Sequence, residues 1–106
     1  MINSEYFIAH NRREVGDDEI LMRLAQEASR LASAALERPF YGDIRREHLA
    51  ERELAAAIGR MQATIAIAVE RFKFGDKAIN TIKKKFVLKW AREIDPDWRC
   101  ANDEQD

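Results

Sequence analysis

The 106-residue sequence predicts an all-α domain: an antiparallel bundle of three main helices, completed by a second copy of the chain. Three observations predict it. Apolar residues recur at alternating spacings of three and four over three long stretches, the period of a helix with one face turned inward. Only four glycines and two prolines occur, and no stretch alternates in the manner of a strand. The links between the stretches are short, which favours antiparallel neighbours. Three helices alone make a thin bundle that leaves much apolar surface uncovered, so a homodimer is expected.

Residues 1–16 form an N-terminal arm with a short apolar knot at Tyr6, Phe7 and Ile8 and no strong helix signal. Gly16 followed by Asp17, Asp18 and Glu19 starts the first helix, because acids complement the positive end of the helix dipole. Leu21, Leu24, Ala28, Leu31 and Ala35 give it an apolar face. Arg38-Pro39 ends it, since the residue before proline avoids the helical region, so the span is 17–37. "RPFYGD", 38–43, is a turn, with Asp43 as N-cap of the second helix.

That helix, from about Ile44 to Phe74, has the cleanest pattern: Leu54, Ile58, Met61, Ile65, Ala68 and Phe72. Six further alanines widen its small-residue surface, as befits a central helix packed on more than one side. In "FGD", 74–76, Gly75 suits a left-handed cap and Asp76 an N-cap. The third helix, 77–94, carries Ile79, Ile82, Phe86, Trp90 and Ile94 on one face and stops at Asp95-Pro96. A polar tail, 95–106, follows. The domain itself is 17–94.

Composition narrows the function classes. The chain is 46% apolar and 35% charged with a net charge of −1, so it is not drawn as a whole to nucleic acid or membrane. Its one cysteine, Cys100, excludes an intrachain disulfide and has no neighbouring ligand or base. No leader and no membrane-length apolar run is visible, and a cytoplasmic location is expected. His10 and His48 form no zinc spacing. Glycine-rich phosphate loops and nucleophile elbows are absent.

Two features remain. The third helix is basic, with Lys73, Lys77, Lys83, Lys84, Lys85, Lys89 and Arg92, but consecutive lysines fan around a helix and suit a solvated face. Nucleic-acid binding there is the least favoured reading. The second feature is acidic. Glu27 and Glu53 each flank an apolar stripe, so packing of the first two helices can bring them to one groove, where carboxylates would hold a hard cation.

The order of features is more specific than any one of them. "LAQEASRLASAALE", "ERELAAAIGRMQATIAIAVERF" and "GDKAINTIKKKFVLKW" resemble, in that order, the two motif helices and the Lys-rich closing helix of the MazG-like nucleoside triphosphate pyrophosphohydrolases. The resemblance covers residues 16–94 and implies an all-α fold. It also implies a magnesium site built from Glu-Glu-x-x-Glu on one helix and Glu-x-x-Asp on the next. Position by position those acids fall on Gln26, Glu27, Arg30, Glu53 and Ala56, so two of five are present.

Two function classes follow. One is a magnesium-dependent pyrophosphohydrolase of nucleoside triphosphates using Glu27 and Glu53, with Lys83 or Lys85 attracting phosphate. The other, favoured by the missing acids, is a relative that has lost catalysis and binds a nucleotide or a protein partner; no cofactor is then expected. In that second class Arg30 stands in the space of the metal, held by Glu27, Glu53 or both. Glu47, Glu51 or Asp43 are the residues that could replace the lost ligands.

Overall fold

The computed structural model describes residues 3–37 and 44–97, and of residues 44–47 the backbone only. These residues hold four helices and no strand: α1 (Ser4–His10), α2 (Asp17–Glu37), α3 (Ile44–Phe72) and α4 (Asp76–Ile94). The chain divides into two compact units, Met1–Lys73 and Phe74–Asp106. The "RPFYGD" turn with Asp43, the side chain of Glu47, and the tail from Trp98 with Cys100 lie outside the described residues.

In the first unit α3 packs against both α2 and α1. The α2–α3 pair is antiparallel, because Asp17 at the start of α2 meets Arg71 near the end of α3, and Glu27 meets Arg60. Both helices begin where the sequence predicts, and α3 stops two residues short of Phe74.

The arm differs from expectation, for it contains α1. Asn3 caps this helix, its side chain accepting from the Glu5 amide at 2.7 Å. Seven residues cannot sustain a helix alone. What holds α1 is tertiary: Ala9 is buried, and the Arg71 guanidinium from α3 reaches into the arm. Arg71 is 2% exposed. It donates to the carbonyls of Ala9, Ile8 (3.2 Å) and Val15 (2.6 Å) and to Asp17 Oδ1 (2.9 Å), so one side chain ties α1, the following loop and the start of α2 to α3. Beside it, His10 Nε2 and Lys73 Nζ both lie against Glu70 Oε1, at 2.7 and 3.0 Å. The His10 contact, and secondarily Lys73, holds the Glu70 carboxyl below its ordinary range.

The contact between α2 and α3 is narrower than the apolar stripes suggest. The inward row of α2 is Ile20, Leu24, Glu27, Leu31 and Ala34, and that of α3 includes Ala50, Ala57, Met61, Thr64 and Ala68. Alanines in this row let the two backbones come close. The residues one step forward, Leu21, Ala28 and Ala35 in α2 and Ile58 and Ile65 in α3, are exposed. One step is about 100° around a helix. Because the helices are antiparallel, these two forward flanks fall on the same side of the pair. The expected stripes therefore supply only part of the contact, and the remainder forms one apolar surface across both helices.

Lys73 ends α3 with φ 57°, the left-handed cap expected of Gly75. Gly75 instead sits at the N-cap of α4 in extended backbone, φ −70° and ψ 128°, and Asp76 is the first helical residue. A left-handed lysine is strained, whereas glycine is not. Lys73→Gly is expected to raise stability by about 0.5–1 kcal/mol in urea unfolding, net of its exposed contact with Glu70.

In the second unit α4 buries Leu88, and the expected face is open instead: Ile82, Phe86, Trp90 and Ile94 are exposed. Phe86 and Trp90 pack edge to face, their centroids 5.9 Å apart. Lys83 and Lys85 are both exposed. Two positions apart, they project from α4 at about 200° to each other and do not converge on one phosphate. No helix among the described residues is long and apolar enough to cross a membrane.

Candidate functional site

One step backward from the inward rows lie Gln26, Arg30 and Ser33 in α2 and Glu53, Ala56 and Arg60 in α3. This flank is polar, and it faces away from the apolar surface. Between the two helices it forms a groove of about 320 Å³ whose lining includes Ser29, Arg30, Ser33, Glu37, Glu53, Ala56, Ala57 and Arg60. Three of the five positions that stand where the motif acids would be line this groove, Arg30, Glu53 and Ala56, and a fourth, Glu27, bonds the two arginines in its lining. Gln26 is exposed outside it.

Glu27 occupies the inward row, and only 13% of its side chain is exposed. A carboxylate placed there must be satisfied by donors. Arg30 Nη1 donates to Glu27 Oε1 at 2.8 Å, a contact that their three-residue spacing permits. Arg60 Nε donates to Glu27 Oε2 at 3.0 Å from across the helix pair. Both oxygens are thus taken by guanidinium groups, in charge-assisted bonds. Glu53 takes no part in this triad. The sequence pointed to the Arg30–Glu27 contact and missed Arg60, whose partner lies 33 residues away.

This constellation does not fit magnesium. The ion requires near-octahedral oxygen ligands, and both oxygens of Glu27 already face guanidinium groups. Among the described residues no three of His, Cys, Asp and Glu stand together so as to hold a metal ion. Of the proposed replacement ligands, Glu51 is exposed on the apolar flank, away from the groove. Lys83 and Lys85 belong to the other unit.

The arrangement can instead hold a ligand by charge. Arg30 and Arg60 are pre-positioned by Glu27, and each keeps further N–H groups beyond the one it uses there. A second cavity of about 280 Å³, between α1, α2 and α3, is mainly aliphatic, with Ile8, Val15, Ile20 and Ile67. Its charged residues, Glu19 and Arg23, lie 3.6 Å apart, and its one hydroxyl, Thr64, donates to the Arg60 carbonyl at 2.7 Å. The arginine groove is the candidate site. No protein-family model, curated protein or solved structure matches the chain.

Proposed function

We propose that the chain is a MazG-like helical protein that has lost metal-dependent pyrophosphohydrolase chemistry and works as a binding or regulatory module, as a homodimer. The observation that supports this reading is the Glu27 carboxylate with a guanidinium on each oxygen. Where the resemblance implies acids around a metal, guanidinium groups neutralise Glu27. Arg60 ties α3 to α2 through Glu27 as a metal bridge would, and Arg30 adds a second cation from within α2, without a Lewis acid to activate water. The homodimer rests on the apolar flank of Leu21, Ala28, Ala35, Ile58 and Ile65. It lies opposite the groove, so pairing there leaves the groove open.

The test combines turnover with metal binding. Incubated with a panel of nucleoside triphosphates and magnesium, the purified protein is expected to release no pyrophosphate above a no-protein control. In calorimetry, manganese is expected to give no saturable heat at micromolar concentration. The variant carrying Gln26→Glu, Arg30→Glu and Ala56→Asp restores the missing acids and is expected to gain manganese binding by at least about tenfold, on the order of one added charged ligand contact. Turnover by the unmodified chain that Glu53→Gln abolishes would overturn the reading.

A further inference from the structure

The groove is charged with opposite signs at its two ends. Arg30 and Arg60 stand at one end, gathered by Glu27. Glu37 follows Arg30 by seven residues in α2, and Glu53 precedes Arg60 by seven in α3, and both line the groove. Seven residues of helix span about 10 Å. Because α2 and α3 run in opposite directions, the two displacements point the same way and bring Glu37 and Glu53 to one end together. Neither glutamate is hydrogen-bonded or ion-paired among the described residues. Between the ends lie Ser33 and the small side chains of Ala34, Ala56 and Ala57.

We infer that this groove binds a bipolar small molecule, with an anionic head held by Arg30 and Arg60 and a cationic amine or guanidine about 10 Å away between Glu37 and Glu53. The inference rests on the reading that the groove is a binding site without a metal. It narrows that reading, because a ligand that is anionic throughout, such as a nucleoside triphosphate laid along the groove, would run its charge into Glu37 and Glu53. A ligand that is cationic throughout would meet the guanidinium groups. Only a molecule carrying both charges complements both ends. The head is planar or tetrahedral oxyanion chemistry, carboxylate or phosphate, since a guanidinium fork accepts either in a bidentate manner.

Titration of the isotopically labelled full chain, followed by NMR, tests this with 8-aminooctanoate as the probe and octanoate and octylamine as its half-charged controls. Saturable shifts of the Arg60 Nε–H and Ser33 amide signals are expected for 8-aminooctanoate. The controls should bind at least about tenfold more weakly, the loss of one charge-assisted contact. Arg60→Gln is expected to weaken the probe to the level of octylamine, and Glu53→Gln to weaken it toward octanoate. 7-Aminoheptyl phosphate in the same titration identifies the preferred head by its affinity relative to the carboxylate probe. Equal binding of all three alkyl probes would overturn the proposal, as would shifts that do not saturate for either bipolar probe. Neither result touches the loss of pyrophosphohydrolase chemistry, which the pyrophosphate assay decides separately.

Discussion

Replacing Arg71 with leucine is expected to cost about 3 kcal/mol or more and to release α1 from the first unit. The magnitude follows from what is left behind. The guanidinium is buried and satisfies the carbonyls of Ile8, Ala9 and Val15 at once, and among the described residues no other donor reaches them. Each carbonyl left buried without a partner costs on the order of 1–3 kcal/mol. Asp17 adds less, because it is half-exposed and water can replace the guanidinium there. Once detached, seven residues of α1 do not remain helical. Amide exchange should therefore show α1 unprotected while the inward rows of α2 and α3 retain protection, and urea unfolding should show the loss of stability. Arg71→Lys should recover less than half of it, because an ammonium cannot reach four acceptors spread over a planar fork. Full protection of the α1 amides in Arg71→Leu would show that Ala9 and the apolar contacts suffice without the arginine.

The second large effect concerns assembly. Ile58→Glu combined with Ile65→Glu is expected to convert the proposed homodimer into a monomer and raise its dissociation constant by at least about a hundredfold. Both isoleucines are roughly 40% exposed in the single chain, at 41% and 44%, and they continue a flank that includes Leu21 on the neighbouring helix. Pairing two such flanks would bury them, and a carboxylate buried there without a partner is costly. In the monomer the same glutamates face water, so the fold should persist, and circular dichroism should show unchanged helix content. Arg30→Gln, on the opposite flank, should leave the assembly unaltered. Sedimentation across a concentration series measures all three. A chain that is monomeric at high micromolar concentration before any substitution would sink the dimer.

The helices were legible in the sequence because their signals are local. Acids at Asp17, Asp18 and Glu19, the period of the apolar residues, and the Asp95-Pro96 stop mark positions a chain can adopt without knowing its neighbours, and α2 and α4 match those marks to within one residue. α1 was missed for the opposite reason. Its length is too short for propensity to decide, and its support comes from Arg71, more than 60 residues away. One signal would have found that arginine: Ala50, Ala57, Thr64 and Arg71 are spaced by seven, so the inward row of α3 carries a charge at its end. An arginine in such a row must have several acceptors brought to it. Spacing also allowed the Glu27–Arg30 contact, since three residues on a helix place side chains side by side. It could not supply Arg60, which reaches Glu27 only after α2 and α3 have closed on each other.

Sequence alone therefore determined the helical character of this protein, the bounds of its long helices to within two residues, and the pairing of Glu27 with Arg30. The tertiary structure decided which edge of each apolar stripe turns inward. Alanines at Ala50, Ala57 and Ala68 allow close backbone approach, and that approach rotates the contact by about one residue from the centre of hydrophobicity. The rotation carries Glu27 from the edge of the stripe into the contact. A carboxylate drawn there must find donors, and Arg30 and Arg60 are the ones within reach.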